Sequence, residues 1–310
     1  MLSTVKNRIA SWRYNRGSRL KYYNFWSDQT PAEMWLTLFI AHQFAGRRLP
    51  RVNFVSVLGS ADAIHAHRPG RNIFYTGENI HAERFSQQRQ AAEKAVFDLR
   101  LGFDYCDDAD YLRLPLWLLW TFPPQADEDG VRRVVDELNR PHPTARGRFA
   151  ALVCGHDAGG VRGQIMDALT EVAEVASAGA FRRNTDELHT VYGNDKLAFL
   201  RHFRFTVCPE NSDAEGYVTE KLFDAIAAGC IPIYTGSGNN PEPGLINKDA
   251  VLFWNNGTDN RQLVEQVGWL NSHAEECVRF AGQDRLMPNA GDVVWGYYTR
   301  LRDHLRTVLF

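Results

Sequence analysis

The sequence has 310 residues, of which 44% are hydrophobic and 23% are charged. This composition is typical of a soluble globular protein, and the length favours two domains over one. The charges nearly balance, with 35 Lys and Arg against 37 Asp and Glu, so we expect no nucleic-acid partner, although a local basic site for phosphates is compatible with this balance.

The first 21 residues combine apolar residues at roughly helical spacing with basic ones. Leu2, Val5, Ile9 and Trp12 recur on one side of a predicted helix, and lysines and arginines are interspersed. The pattern is typical of a terminal helix that packs on the protein, and also of an amphipathic helix that lies on an anionic membrane. A peripheral membrane contact through residues 1–21 is therefore one of two open interpretations.

From residue 20 onwards, short apolar runs alternate with amphipathic ones. The apolar runs predict strands at Leu20–Trp26, Val52–Leu58, Asn72–Thr76, Val96–Leu101 and Tyr111–Leu114. The amphipathic runs predict helices at Pro31–Ala45 and Ala82–Ala95. Such alternation is typical of a mainly parallel, doubly wound α/β sheet.

A break in this rhythm predicts the boundary between two domains. A proline pair, an acidic turn and a helix at Val131–Arg140 lead into a segment rich in proline and arginine. We place the boundary near residue 145, which gives an N-terminal domain of residues 1–145 and a C-terminal domain of residues 146–310. The last helix could pack back on the N-terminal domain.

The second half resumes the same alternation. Strands are predicted at Phe149–Cys154, Phe203–Cys208, Cys230–Tyr234 and Val251–Phe253. Helices are predicted at Arg162–Ala176, Thr219–Ala228 and Tyr297–Leu309. The chain thus predicts two parallel α/β domains in succession.

The cysteines and the apolar runs indicate the cellular location of the protein. The five cysteines are odd in number, far apart and without a C-x-x-C pair, which disfavours disulfides and a structural zinc site. Residues 1–21 lack the apolar run of a signal peptide, and Leu114–Phe122 is too short to span a bilayer. We therefore expect a cytoplasmic protein, either free or peripheral at the inner face of the membrane.

The most informative stretch covers residues 205–236. A strand closes at Glu210 and Asn211, and a helix begins at Thr219, a good N-cap residue. Glu210 and Asn211 would then point into the crevice at the carboxyl ends of the strands, where open α/β sheets bind ligands. The helix start directs backbone N–H groups at the same place, and Lys221 adds a positive charge. The stretch predicts a diphosphate site.

The run E-N-x(5)-Y-V-T-E-K-x(3)-A-x(3)-G-x-I-P-I-Y-x-G, which begins at Glu210, resembles the donor-site signature of the α1,3/4-fucosyltransferases. The likeness extends upstream to Ile73–Asn79 and Leu101–Leu116, which are similar to acceptor-domain motifs of bacterial members. The resemblance implies a GT-B fold, in which two Rossmann-like, doubly wound domains face each other across a cleft. The N-terminal domain would bind the acceptor and the C-terminal domain the donor, GDP-fucose.

The resemblance also implies roles for individual residues. Glu78 matches the carboxylate proposed as general base, Arg162 matches an arginine that binds the diphosphate, and Lys221 completes the catalytic set. The implied donor-binding residues are Glu210, Asn211, Tyr217, Thr219, Glu220, Arg183 and Asn184. Where the family often has Ser-Asn shortly before the arginine, this chain has Gly155 and His156, so we expect the contacts there to differ.

Two patterns have the form of metal sites. Residues 108–110 read D-x-D, by which metal-dependent glycosyltransferases hold a cation on a diphosphate, and His65, His67 and His81 could be assembled into a cluster. Any acidic turn produces D-x-D, however, and histidines in polar loops more often face solvent. We therefore predict no metal site, no required divalent metal and no other cofactor.

The expected reaction is an inverting transfer of fucose. Glu78 would deprotonate an acceptor hydroxyl, O3 of a GlcNAc or glucose unit, and that oxygen would attack C1 of fucose. Arg162 and Lys221 would stabilise the departing GDP. The expected partners are thus GDP-fucose and an oligosaccharide acceptor. Two alternatives stay open: a different sugar nucleotide as donor, and a non-catalytic carbohydrate- or nucleotide-binding protein on the same scaffold.

Overall fold

The structure is a computed structural model that describes residues 12–26, 29–141 and 146–310. Residues 12–17 are helical, whereas the part of the predicted N-terminal helix before residue 12 lies outside the described residues. The position of the predicted domain boundary, residue 145, lies outside them as well. In the described part of the chain, no helix has the length and apolar character needed to cross a membrane.

The chain divides into two compact units, the first of which is discontinuous in sequence. Unit 1 contains the residues up to Asp129 together with Val294–Phe310, and unit 2 contains Gly130–Val293. The division therefore precedes the boundary placed near residue 145. The reason is that the segment after Gly130 is tied to the end of unit 2, where Asn139 and Leu286 exchange two hydrogen bonds of 2.8 and 3.2 Å.

Unit 1 is built on a five-stranded parallel sheet whose strands follow in chain order. The strands are β1 (Leu20–Tyr23), β2 (Val52–Val55), β3 (Arg71–Tyr75), β4 (Leu99–Gly102) and β5 (Tyr111–Arg113). The helices are α1 (Trp35–Gln43), α2 (Ala61–His65), α3 (Ser86–Lys94) and α4 (Leu116–Thr121).

Helices cover both faces of this sheet. On one face Tyr22 stacks on Phe54, and its hydroxyl group lies 2.7 Å from the hydroxyl of Thr37 in α1. On the other face Val55 and Phe74 belong to an apolar cluster that includes residues of α2 and α3. Since successive strand residues point to opposite faces, both sides of the strands are buried, as is usual for a parallel sheet.

Unit 2 contains a second five-stranded parallel sheet, in the order β10-β9-β8-β6-β7. The strands are β6 (Arg148–Leu152), β7 (Val175–Ser177), β8 (Phe203–Pro209), β9 (Ile231–Thr235) and β10 (Leu252–Phe253). The helices are α5 (Glu128–Leu138), whose first two residues belong to unit 1, α6 (Val161–Thr170), α7 (Glu187–Thr190), α8 (Lys196–Leu200), α9 (Glu220–Ala227), α10 (Arg261–Ser272) and α11 (Ala274–Ala281). The final helix, α12 (Ala290–Leu309), begins in unit 2 and continues in unit 1.

Alternating residues of β6 show how the second core is arranged. Leu152 belongs to a buried cluster that includes Ile165 of α6 and Val267 of α10. Ala151 belongs to a separate cluster that includes Phe199 of α8. The sheet is therefore covered on both faces, and its functional groups are confined to the strand ends and the loops that follow them.

The predicted parallel α/β class is confirmed in both units, but two helices were wrong in extent. The final helix, predicted from Tyr297, begins at Ala290. The helix predicted to reach Ala176 ends at Thr170, and Val175–Ser177 forms the edge strand β7. Parallel pairing with β6 buries all three of these residues, and this tertiary burial outweighs the local helical pattern. Six further helices were not predicted: α2, α4, α7, α8, α10 and α11.

Candidate functional site

The carboxyl ends of β6 and β8 mark the point at which the strand order of unit 2 reverses. β7 follows β6 along the chain and lies on one side of it, whereas β8 lies on the other side. Open α/β sheets bind ligands at such a reversal. The segments that follow the two strands line a cavity of about 300 Å³, together with Thr235 and Gly236 at the end of β9.

Arg162 supplies a buried positive charge to this cavity. It lies in the first turn of α6 and is only 3% exposed. Its Nη2 donates a 2.7 Å hydrogen bond to Oδ1 of Asn211, and its Nη1 donates to the carbonyl oxygen of His156. Both acceptors are neutral, and no carboxylate among the described residues forms a salt bridge with Arg162. A buried cation held in this way favours an anionic ligand.

Asp157 fixes the helix start that carries this arginine. Its two carboxylate oxygens accept hydrogen bonds from the backbone N–H groups of Arg162 and Gly163, at 3.0 and 2.8 Å. Gly160 at the N-cap has φ +71°, a conformation that suits glycine. Asp157 therefore occupies the first N–H groups of α6, so that the guanidinium of Arg162 provides the positive charge on this side of the cavity.

A second group of charged residues surrounds the start of α9. The buried carboxylate of Glu210 accepts hydrogen bonds from the backbone N–H and the hydroxyl group of Thr219, at 2.8 and 2.7 Å. Lys221 Nζ donates a 2.9 Å hydrogen bond to the Thr219 hydroxyl and lies 3.5 Å from Glu210 and 3.4 Å from Glu220. Thr219 occupies the predicted N-cap position, but its side chain does not cap the helix, because the hydroxyl group links Lys221 to Glu210.

The pKa shifts of this group follow from burial and from the close charges. Burial raises the pKa of Glu210 above its ordinary value. Burial lowers the pKa of Lys221, but the charges of Glu210 and Glu220 outweigh this effect and raise it. For Glu220, burial is outweighed by the charges of Lys221 and Lys196, so its pKa is lowered. Lys221 therefore keeps its positive charge throughout the physiological pH range.

Gly236 closes the cavity next to Glu210. Its φ is +140°, and a Cβ at this position would lie 2.6 Å from Cγ of Glu210. The backbone of β9 can approach the buried carboxylate this closely only because the residue has no side chain. A glycine is therefore required at the end of the motif, because any side chain would clash with Glu210.

The structure brings most of the predicted donor-site residues together, with two exceptions. Tyr217 is buried in the segment between Asn211 and Thr219. Arg183, in contrast, pairs with Asp186 and lines a separate depression. The amide of Asn184 donates to the carbonyl of Val175 and accepts from the N–H of Ser177, so it closes a turn.

Glu78 lies in unit 1, in the loop that follows β3. Its backbone N–H and C=O groups both form hydrogen bonds with the hydroxyl of Thr76, at 3.1 and 2.7 Å. Its carboxylate, 17% exposed, pairs with Arg84 at 2.6 Å. The loop thus presents a carboxylate, one of the functional groups that can act as a general base, held in place by an arginine.

Two family models match the chain. One describes the Alpha-(1,3)-fucosyltransferase FucT N-terminal domain and matches residues 20–120, and the other describes Glycosyltransferase family 10 (fucosyltransferase) C-term and matches residues 145–282. Together they cover more than three quarters of the chain. The Alpha-(1,3)-fucosyltransferase FucT of Helicobacter pylori is 31% identical in an alignment of 252 residues that covers 71% of this chain. The chain belongs to the fucosyltransferase family.

This fucosyltransferase-family chain spans about half the length, 48%, of the Helicobacter pylori relative. A shorter match is Alpha-(1,3)-fucosyltransferase B of Drosophila melanogaster, 34% identical over 85 residues, or 27% of this chain and 19% of that protein. Among solved structures, an alpha1,3-fucosyltransferase is 21% identical with a TM-score of 0.62, covering 92% of this chain and 89% of its own. A second solved structure, of an alpha1,3-fucosyltransferase with GDP-fucose, is 19% identical with a TM-score of 0.59. The match covers 92% of this chain and 90% of the other. The predicted GT-B fold is confirmed.

The D-x-D pattern of this family member lies in unit 1 and is engaged by an arginine. Arg100 donates to both oxygens of Asp110, at 2.7 and 2.9 Å, and lies 3.2 Å from Asp108. His81 pairs with Asp104 at 2.8 Å. Within the three described stretches of the chain, no group of three or more His, Cys, Asp or Glu residues is arranged to hold a metal ion.

Three residues of the candidate site have roles that the sequence did not predict. Asp157 was missed because a helix-capping carboxylate five residues before an arginine has no distinctive spacing. Arg84 was missed because its pairing with Glu78 depends on the turn between them, although both residues lie in one short polar segment. Gly236 is part of the donor-site motif, and its steric role could be inferred only once Glu210 was placed.

Proposed function

We propose that the chain is an inverting fucosyltransferase, which moves L-fucose from GDP-fucose to a hydroxyl of a glycan acceptor, O3 of a GlcNAc or glucose unit. The observation that carries this proposal is the buried guanidinium of Arg162, held by neutral partners at the strand-order reversal of unit 2. Membership of the fucosyltransferase family supports the choice of donor. The diphosphate of a nucleotide would accept charge-assisted hydrogen bonds from this guanidinium.

In the proposed reaction Glu78 takes the proton from the acceptor hydroxyl, and the oxygen forms a bond to C1 of fucose. The bond between C1 and the diphosphate oxygen breaks with inversion, and its electrons leave with GDP. Arg162 and Lys221 stabilise the negative charge that develops on the departing diphosphate. Asn211 and Thr219 hold these two cations in place, so that little reorganisation is needed during the reaction.

Competition among donors tests the proposal. The protein is mixed with GDP-fucose, GDP-mannose or UDP-GlcNAc, and thermal midpoints and transfer to a panel of labelled glycans are measured. We expect GDP-fucose to raise the midpoint and to support transfer. If only UDP-GlcNAc raises the thermal midpoint, the fucosyl assignment is wrong and another sugar nucleotide is favoured as donor.

We further propose that the enzyme is cytoplasmic and contacts an anionic membrane through its first 21 residues. The free thiols of all five cysteines support a reducing compartment. At the edge of the described residues, Trp12 is 59% exposed and the Arg16 guanidinium lies 4.9 Å from its ring centre. Deletion of residues 1–17 should abolish binding to vesicles of anionic phospholipid. Unchanged binding would refute the membrane contact.

A further inference from the structure

A cavity in unit 1 lies beside the loop that carries Glu78. It has a volume of about 210 Å³, and its wall includes the side chains of Phe25, Trp26, Tyr75, Leu116 and Trp120. We call it the aromatic cavity. Its volume is below the ~300–1,000 Å³ of sites for drug-sized ligands, so it accommodates a single ring rather than a whole oligosaccharide.

The aromatic cavity reaches the residue that precedes the proposed base. A Cβ built on Gly77 would lie 2.8 Å from Cδ1 of Leu116, 3.1 Å from the hydroxyl oxygen of Tyr75 and 3.2 Å from the Trp26 ring. All three side chains line the cavity. The backbone at Gly77 therefore lies against its wall, one residue before Glu78. A ring bound here would lie close to the backbone of the loop that carries the proposed base.

The hydroxyl group of Tyr75 lacks a hydrogen-bond partner among the described residues, although the side chain is fully buried. Burial of an unpaired hydroxyl is unfavourable, and buried polar groups in native proteins nearly always find a partner. Tyr298, also buried in unit 1, is ordinary in this respect, because its hydroxyl group donates a 2.6 Å hydrogen bond to the carbonyl of Pro123. Because Tyr75 also lines the aromatic cavity, a ligand bound there could supply the missing partner of its hydroxyl group.

We propose that the aromatic cavity binds one pyranose ring of the acceptor glycan, and that the Tyr75 hydroxyl donates a hydrogen bond to a hydroxyl of that ring. The inference rests on the proposed function for the identity of the substrate. Trp26 and Trp120 would pack against the C–H face of the sugar. Small-molecule sites commonly combine such aromatic side chains with a few polar groups, here the Tyr75 hydroxyl. An alkyl aglycone would fill the same space but would leave the Tyr75 hydroxyl unpaired.

The test compares Tyr75→Phe with the matched variant Tyr298→Phe. For Tyr75→Phe we expect the KM for the methyl glycoside of a GlcNAc-containing disaccharide to rise at least tenfold. The KM for GDP-fucose and the slow hydrolysis of GDP-fucose without acceptor should stay unchanged. The thermal midpoint should stay equal or rise, because the variant removes a buried hydroxyl that has no partner in the free protein. Tyr298→Phe should show the reverse: a lower midpoint and an unchanged acceptor KM.

An unchanged acceptor KM in Tyr75→Phe, or equal changes in both variants, would overturn the inference. A second arm replaces the methyl glycoside with octyl GlcNAc. If octyl GlcNAc has a lower KM that is the same in wild type and Tyr75→Phe, the occupant is an apolar aglycone and the proposal is wrong.

Failure of the proposed function can be recognised separately. If wild type transfers no fucose, binding of the methyl glycoside is measured by tryptophan fluorescence, since Trp26 and Trp120 line the aromatic cavity. Saturable quenching that Tyr75→Phe weakens at least tenfold would support the sugar subsite even then. No saturable change in wild type would refute it.

Discussion

Arg162 and Asn211 are joined by a 2.7 Å hydrogen bond that connects the segments after β6 and β8. The bond crosses the point at which the strand order of unit 2 reverses. It orients a guanidinium without neutralising it, because the acceptor is an amide oxygen. A diphosphate that binds here meets a preorganised cation, and this relationship underlies the first prediction.

Arg162→Lys should weaken GDP binding by about 10–100-fold. A charge-assisted hydrogen bond is worth about 1.5–3 kcal/mol. Lysine keeps the charge but loses the planar fork that contacts Asn211 and, in the proposed complex, the phosphate. Calorimetric titration of GDP measures the effect. The matched control is Arg279→Lys, at an exposed arginine paired with Glu276 outside the cavity, which should bind GDP like wild type. Equal affinity in both variants would contradict the role given to Arg162.

Lys221→Met should destabilise the protein by about 3 kcal/mol at pH 8, because it leaves the buried Glu210 carboxylate without its cation. Burial already raises the pKa of Glu210 above 4.5, and loss of Lys221 raises it further. A raised folded-state pKa means that stability is retained below 4.5 and lost as the pH rises through the folded-state value. The destabilisation should therefore shrink when urea unfolding is measured at pH 4.5.

The double variant Glu210→Gln with Lys221→Met serves as the control for this charge. Glutamine has no charge to leave unpaired, so the double variant should recover more than half of the stability lost at pH 8. A Lys221→Met defect of the same size at pH 4.5 and pH 8 would show that the lost cation is not its cause.

Gly236→Ala should lower the free energy of unfolding by about 3 kcal/mol or more. The added Cβ would meet Glu210 at 2.6 Å, and a φ of +140° is strained for alanine, so overpacking and backbone strain add. Gly238→Ala provides the comparison, since its φ is also positive, at +57°, but its Cβ would find no atom within 4 Å. In urea unfolding, that variant should have a free energy of unfolding about 1 kcal/mol lower than that of wild type. Similar losses in the two variants would mean that the contact with Glu210 has no energetic importance.

Fucosyl transfer should continue in excess EDTA at no less than half the rate found with added Mn²⁺. The acidic D-x-D pair is already bound by Arg100, and in the proposed reaction Arg162 and Lys221 stabilise the charge of the diphosphate. Transfer is measured after chelation and after Mn²⁺ is restored. A loss of activity in EDTA that Mn²⁺ reverses would overturn the prediction that no metal is required.

The sequence predicted the parts of the donor site that depend on chain order. The carboxyl end of β8 and the start of α9 follow from local patterns, and both positions agree with the structure. The role of the Thr219 side chain could not be predicted in this way. Thr219 has the residue type of an N-cap, but its hydroxyl group donates a hydrogen bond to the buried carboxylate of Glu210, nine residues earlier, and this contact overrides the local preference.

The fold was less predictable where tertiary pairing decides the outcome. Residues 171–176 continue a pattern that suits a helix, yet Val175–Ser177 pairs with β6, because the sheet edge offers backbone partners that sequence spacing does not reveal. Likewise, the proline- and arginine-rich segment resembles a linker. The chain nevertheless joins unit 2 earlier, since Arg132 pairs with Asp292 at 2.6 Å and Asn139 bonds to Leu286.

Transfer and GDP binding in Glu78→Gln, measured side by side with Glu83→Gln, test the central claim most directly. Glu83 is a neighbouring carboxylate, in a short 3₁₀ turn beside Arg84, and it has no role in the proposed reaction. We expect Glu78→Gln to keep the affinity of wild type for GDP and to transfer fucose about 10²–10⁴-fold more slowly, which is the usual contribution of a general base. Glu83→Gln should transfer like wild type. Transfer by Glu78→Gln at the wild-type rate would contradict the account.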